Sequence, residues 1–265
     1  MAVPFDHIAS SYDALFSRSM IGQLQRKHVW NYVLKVLPEL ESLEMLELNC
    51  GTGEDALLFS DRGFNIVATD VSAEMLRITQ QKVQQYSMQH RISSQYLDIE
   101  SFDATVFNKK FDLVFSNFGG LNCVNPESLK QLFDKIPDIL APGGRFIAVV
   151  MPRVCLWESA YFFSKMRLRQ VFRRATSKPV LADLGDAQLK IWYYSPRQIR
   201  KWGKAHFQVN HLMPIGFSLP PSYLEKFFAR RKRWLLSLNA WEKRLSGMSA
   251  LARLSDHYLI DLQLK

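Results

Sequence analysis

A glycine-rich turn between an apolar strand and a helix, LELNCGTGED at residues 46–55, constrains this chain more than any other feature. Gly51, Gly53 and Ala56 fit the spacing G-x-G-x-x-(G/A). Glycines at those places let a strand turn sharply into a helix and let backbone approach a nucleotide closely. Such a turn belongs to an open α/β sheet with helices on both faces, where ligands sit outside the carboxyl ends of the strands. The same spacing ordinarily lays a pyrophosphate on the helix N-terminus. Here that helix opens with Glu54 and Asp55, so the ligand has to tolerate acid.

The rest of the first half alternates strand and helix. EMLELNC (44–50), FNIVATD (64–70), SQYLD (94–98), FDLVFSN (111–117) and GRFIAVVM (144–151) read as strands. Ser72 is the N-cap of a polar helix running to about His90, and a second helix spans about 127–140 before the turn APGG (141–144). Strands separated by helices of this length predict a doubly wound, mostly parallel sheet. After Met151 the pattern changes. Residues 152–185 read as helical, LKIWYYS (189–195) and 206–218 as strands, and 220–245 as one long helix after Pro220 and Pro221. HYLIDLQL (257–264) closes the chain as a strand. This predicts a core over 1–151, cap insertions with interspersed core strands over 152–255, and a final core strand over 256–265.

The 265 residues, 48% hydrophobic and 22% charged, suit a globular chain with a full core. No apolar run approaches the roughly 20 residues of a membrane span, and MAVPFDHIAS lacks the regions of a signal peptide. Cys50, Cys123 and Cys155 are odd in number and far apart, which argues against disulfides or a zinc site. A cytoplasmic protein without a bound metal is therefore expected. Charge is uneven: residues 1–150 hold 13 Lys+Arg against 18 Asp+Glu, a net of −5, and residues 151–265 hold 21 against 7, a net of +14. An acidic lobe for a cationic ligand precedes a basic lobe for an anionic substrate, partner or surface.

Asp70 falls 17 residues after Gly53, at the end of the second strand, where a carboxylate grips both hydroxyls of a ribose. Glu47, Glu54, Asp55, Asp70 and Asp98 gather near one crevice and disfavour a pyrophosphate. The loop also lacks the Gly-Lys-Ser/Thr of a phosphate-binding loop. A nucleoside carrying positive charge fits, and S-adenosylmethionine, with a sulfonium and an ammonium, is one.

LELNCGTG, ATDVSAEML, LDIE, FDLVFSNFG and LAPGGRFI, in this order, resemble the motifs of class I (Rossmann-like) S-adenosylmethionine-dependent methyltransferases. The opening FDHIASSYD is similar to the N-terminal segment of the ubiquinone/menaquinone-biosynthesis and biotin-pathway members. The resemblance spans roughly 5–151 and the final strand, and implies about seven strands, the last antiparallel. It further implies that Glu47 orients loop and ligand, that Gly51 and Gly53 allow close approach, and that Asp70 holds the ribose. Val71 and Met75 would lie beside the adenine, Asp98 would face its amine with Ile99 next to it, and Asn117 would mark where methionine meets substrate. Tyr12 would close over the cofactor and Arg26 pair with its carboxylate. The family's first glycine is Asn49 here, and asparagine is the residue after glycine that best tolerates a left-handed backbone.

The second half, with Phe118 after the fourth strand, is expected to carry the substrate. Phe118, Trp157, Glu158, Tyr193, Tyr194, Phe227 and Trp234 are its candidate pocket residues, aromatics interleaved with arginine that suit an apolar pocket with a cationic mouth. Methyl transfer needs a base only if the acceptor must lose a proton, and His206 and Glu158 are the candidates. The expected reaction is O- or N-methylation of an apolar small molecule, anionic in part, in a specialised or lipid-like pathway. The alternatives are an acyl group on an acidic carrier protein or RNA, and a non-methylating nucleotide- or NAD-binding protein. An anionic membrane surface is a further partner for the helix at 220–245. That helix, with its apolar face, is expected to roof the acceptor site together with 152–188.

Overall fold

Successive residues of the core strands point to opposite faces of the sheet. Met45, Leu113, Phe115, Ile147 and Val149 bury one way, against Val29, Val33, Phe59 and Leu76. Leu46, Val114, Phe146 and Ala148 bury the other way, against Leu129, Leu132, Phe133 and Ile199. Both faces are thus apolar and both are covered, as a parallel sheet requires. The computed structural model describes residues 3–37, 42–184 and 187–265.

The order along the chain is α1 (Ala9–Tyr12), α2 (Met20–Val36), β1 (Glu44–Leu48), α3 (Glu54–Asp61), β2 (Asn65–Asp70), α4 (Ala73–Gln85), β3 (Ile92–Tyr96), β4 (Phe111–Ser116), α5 (Pro126–Lys135) and β5 (Leu140–Val150). There follow α6 (Leu156–Ser164), β6 (Val180–Leu184), β7 (Ala187–Ile191), α7 (Pro196–Gly203), β8 (Phe207–Ile215), α8 (Glu225–Phe228), α9 (Lys232–Leu245) and β9 (His257–Leu264). Seven strands form one sheet in the order β3-β2-β1-β4-β5-β9-β8, and β9 runs antiparallel to both its neighbours. The order reverses at β1, so the carboxyl ends of β1 and β4 open a crevice there.

The structure corrects several boundaries. APGG lies inside β5, with Gly143 at a φ of 73° and a shift in register against β4, instead of ending a helix. Residues 152–185 are mostly not helical: beyond α6 the chain enters the hairpin β6–β7, where Val180 pairs with Ile191. The helix expected over 220–245 breaks between Phe228 and Lys232, where Arg230 to Arg233 put four like charges in a row. Helix α2, which the sequence reading left unassigned, is capped by Ser19, whose side chain accepts from the Gly22 amide. It buries Ile21, Gln25, Val29 and Val33, four residues apart along one face.

The insertion 220–245 does not roof the crevice. Phe228 and Leu235 pack with Ile21 and Leu219 in a separate cluster, joined by Met20, Leu24 and Trp157. Glu225 caps α2 from outside, accepting from the Met20 and Ile21 amides at 3.1 and 3.0 Å. The apolar face that suggested a lid is consumed by α2.

Candidate functional site

Strand β1 ends in a backbone that few residues tolerate. Asn49, Gly51 and Gly53 have φ values of 51°, 55° and 78°. A Cβ on Gly53 would lie 2.8 Å from Thr79 Cγ2, so the glycine lets the loop press against α4. Asn49 occupies the left-handed region that asparagine tolerates. Its Nδ2 donates to the Asn117 carbonyl (3.2 Å) and its Oδ1 accepts from Ser116 (2.7 Å), which ties β1 to β4. Gly120 makes room for it, since a Cβ there would lie 2.1 Å from Asn49 Cγ. Asn49 at this turn therefore depends on the space left by Gly120.

Asp70 braces the same loop. Its Oδ2 accepts from the Gly51 amide (2.8 Å) and its Oδ1 from the Ser72 amide (2.9 Å). Burial pushes its pKa up against the lowering effect of these amides. Ser72 caps α4, accepting from Met75 at 3.1 Å.

A cavity of about 350 Å³ opens beside this loop. Tyr12, Asn49, Gly51, Asp70, Val71, Met75, Asp98, Ile99 and Asn117 are on its wall, as is Phe118. Arg26, Glu47 and Gly53 lie off the wall. Arg26 pairs with Asp55 at 2.5 Å, and Asp55 also accepts from Trp30 (2.6 Å) and Asn117 (3.0 Å). Glu54 pairs with Lys82 at 2.5 Å. Glu47 Oε2 and Arg26 Nε are among the buried atoms that have no hydrogen-bond partner among the described residues. Glu47 is only 1% exposed. Burial raises its pKa well above the usual carboxylate range, and Asp55 and Asp70 push the same way. A bare acceptor and a bare donor near one loop are the complement of an ammonium and a carboxylate, and Asp70 adds an acceptor for ribose hydroxyls. The residues suit S-adenosylmethionine.

The other pocket candidates are placed elsewhere. Trp157 donates to the Phe217 carbonyl at 3.0 Å and packs edge-on against Phe228. Glu158 is buried in a double ion pair with Arg173 (2.8 Å) and Arg174 (2.9 Å). Those cations hold its pKa low despite burial, so it is a poor base. Tyr193 is buried under Arg174, and the buried Tyr194 hydroxyl donates to the Val124 carbonyl. Phe227 and Trp234 are 48% and 63% exposed on the outer surface. His206 precedes β8, whose first residue pairs with Leu264, at the amino edge of the parallel strands and opposite the cavity. For Trp157, Tyr193 and Tyr194 the aromatic spacing marked an apolar face, and the partner of that face is distant in sequence, whereas Phe227 and Trp234 stay exposed.

Three features were missed. Val3, Pro4 and Phe5 close the cavity from the N-terminal segment, and Leu189 closes it from the hairpin. His257 begins β9 at the carboxyl edge, its ring edge-on to Phe118 with centroids 5.4 Å apart. Its Nδ1 lies 3.2 Å from Asp256 Oδ2. Asp256, despite burial, is held well below the usual range by His257 and by Arg174, 3.0 Å away. The signal for His257 was its place at the start of the closing strand; the sequence reading weighed His206 instead. Among the described residues no group of three or more His, Cys, Asp or Glu is set to hold a metal ion.

Comparison with known proteins bears on this geometry. The methyltransferase-domain family matches residues 45–144. A demethylmenaquinone methyltransferase of Paenarthrobacter aurescens is 23% identical over 221 residues, 82% of this chain and 78% of that protein. A malonyl-(acyl-carrier protein) O-methyltransferase of Pseudescherichia vulneris is 26% identical over 196 residues, 74% of this chain and 71% of that one. The solved magnesium protoporphyrin IX methyltransferase of Synechocystis, with bound S-adenosylhomocysteine, shares the fold at a TM-score of 0.59 and 13% identity, covering 92% of this chain and 84% of that one. The seven-stranded order, the acid-ringed glycine loop and these matches converge on a class I, Rossmann-like S-adenosylmethionine-dependent methyltransferase: residues 45–144 match the methyltransferase-domain family, and the chain is similar to ubiquinone/menaquinone-biosynthesis members.

Proposed function

We propose that the protein methylates an oxygen or nitrogen of an apolar small molecule. The observation that carries this reading is the wall beyond Asn117. Phe118, Gly119, Gly120, Cys123, Val124 and Leu189 line that end of the cavity without a charged side chain. An apolar acceptor is desolvated there at little cost, whereas an unpaired charge would be strongly disfavoured. The similarity to a demethylmenaquinone methyltransferase supports the same class of acceptor.

The cofactor supplies an activated methyl group. In this reading Asp70 takes the ribose hydroxyls, Asp98 and Ile99 flank the base, and Glu47 and Arg26 receive the amino-acid end. Val3 to Phe5 and Leu189 keep water from the acceptor, and Phe118 with Asn117 aligns it toward the methyl. His257, steadied by Asp256, takes the proton that an acceptor hydroxyl or amine gives up. The core over 1–151 then carries the cofactor, and the hairpin within 152–255 closes the acceptor end.

Calorimetry with S-adenosylmethionine, its demethylated product and NAD tests the cofactor half; tighter NAD binding would sink it. Transfer of labelled methyl groups to a cell extract tests the acceptor half. Label in the fraction soluble in organic solvent is expected; label confined to protein or RNA would overturn it. The likeness to a malonyl-(acyl-carrier protein) O-methyltransferase, with the net +14 of residues 151–265, supports a second reading in which the acceptor is an acyl group on an acidic carrier.

A further inference from the structure

Among the described residues, most of the exposed large apolar side chains fall in two segments, 156–172 and 223–248. Met166 and Phe172 of the first are 80% and 72% exposed, and Trp234 and Trp241 of the second are 63% and 53% exposed. Isolated exposed apolar residues are ordinary, but a contiguous set marks an interaction surface. These two segments are neighbours: the Tyr161 and Tyr223 rings meet tilted, with centroids 5.6 Å apart, and Trp157 meets Phe228 edge-on at 6.0 Å.

The charges on this face have one sign. Lys165, Arg167 and Arg169 stand exposed on the first segment, and Arg230 to Arg233 on the second. The acids of the same segments are turned inward. Glu158 is sealed under Arg173 and Arg174, Glu225 caps α2, and Glu242 accepts from the Gly216, Phe217, Ser218 and Leu219 amides. Arg231 and Arg244 lie over the Phe227 and Trp241 rings, 4.0 and 5.2 Å from their centroids. Cations alternating with tryptophan and phenylalanine, with no outward acid, fit a surface that offers phosphates above hydrocarbon. RNA would satisfy the cations but leave Met166 and Phe172 unmatched. Just beyond the first segment the buried Arg174 pairs with Asp256, and His257 next to it meets Phe118 of the cavity wall.

We propose that this face docks on an anionic lipid bilayer, setting α9 and the segment after α6 at the headgroup level. Docking itself rests on the surface alone; that it would deliver a membrane-dissolved acceptor rests on the proposed reaction. Flotation of the full chain with vesicles tests docking, and needs neither acceptor nor methyl transfer. Binding to phosphatidylcholine–phosphatidylglycerol vesicles, with a blue shift of tryptophan emission, and none to phosphatidylcholine alone, is expected. Arg230→Gln with Arg233→Gln should weaken partition by about tenfold or more, since each cation at an anionic surface is worth roughly fivefold. Phe172→Ser with Trp241→Ser should also weaken it at least tenfold while the heat of cofactor binding stays unchanged, which certifies the fold. Three results would overturn the proposal: no flotation with anionic vesicles, full retention by the serine variant, or vesicle binding abolished by RNA with no shift in emission.

Discussion

Gly120→Ala is the sharpest probe of the loop, because the structure states what the new methyl would strike. It would lie 2.1 Å from Asn49 Cγ and Nδ2 and 2.5 Å from Oδ1. The Asn49 side chain must leave, losing its bonds to Asn117 (3.2 Å) and Ser116 (2.7 Å). Ser116 is fully buried, so its hydroxyl would be stranded. Two neutral hydrogen bonds at about 1 kcal/mol each, plus desolvation of the stranded groups, make the expected loss about 2–4 kcal/mol. For a chain of this size that lowers Tm by roughly 5–15 °C. Gly120 carries no positive φ, so the cost is steric and specific to Asn49. Asn49→Gly alone should cost about 1–2 kcal/mol, being partly offset by release of the left-handed backbone. In the double variant Asn49→Gly with Gly120→Ala the collision is gone. Stability by urea unfolding should then return close to that of Asn49→Gly, a coupling of about 2–4 kcal/mol. Additivity of the two single changes within about 0.5 kcal/mol would refute the reasoning.

Asp70→Ala removes the acceptor for the Gly51 and Ser72 amides and, in the proposed reading, for the ribose; cofactor affinity should fall about a hundredfold, at about 1.5–3 kcal/mol per charged bond. Unchanged affinity by calorimetry with a lowered Tm would make it a loop brace only. The buried Glu47 carboxyl has a raised pKa, so it must give up its proton to receive an ammonium. Cofactor affinity should therefore tighten as pH rises through that raised value and flatten in Glu47→Gln; the same slope in both would clear Glu47 of the role. The sign for folding of the free protein is opposite: a raised carboxyl favours the native state below its folded pKa and loses that contribution as pH rises through it. Glu242→Ala strands four backbone amides that the carboxylate gathers at 2.7–3.2 Å, so unfolding by urea should show a loss of about 3–5 kcal/mol, with Glu242→Gln milder. Equal stability of wild type and Glu242→Ala would contradict this.

The parallel core was legible because its determinants are local. The apolar run of β1, the glycines after it and the acid ending β2 lie within 27 residues, from Glu44 to Asp70. Short-range pattern carries a strand, its turn and its N-cap, as Ser72 shows. Asn49 was readable for its own backbone but not for its partner, since the space at Gly120 is made 71 residues later. The cap was misread for the same reason. Helical spacing of Leu235 and Phe228 declares an apolar face, but its mates Ile21 and Leu24 lie some 200 residues earlier. Trp157 and Phe227 show the ambiguity in full: neighbouring aromatics in one composition, one half-buried in that cluster and one exposed over Arg231. Nothing in local pattern could put His257 beside Phe118, because only the sheet order brings β9 next to β5.

The acids around the glycine loop prove unequal, and their inequality explains the ligand. Glu54 is answered by Lys82, and Asp55 by Arg26, Trp30 and Asn117. Asp98 spends one oxygen on the Glu100 amide and caps a short turn. Glu54 and Asp55 build the loop more than they charge it, and Asp98 braces the turn that follows β3. Asp70 is half committed, holding two amides while facing the cavity. Glu47 alone keeps a buried oxygen with no partner among the described residues, and both Glu47 and Asp70 have raised pKa values in the free protein. A group buried at that cost is stabilised as soon as a cation approaches, because a nearby opposite charge favours the ionised form. A pyrophosphate would worsen the same strain. In the proposed reading the selectivity for a cationic nucleoside comes from Glu47, which keeps a buried oxygen without a partner, and from Asp70, buried on the cavity wall, while the remaining acids hold the backbone around the ligand site.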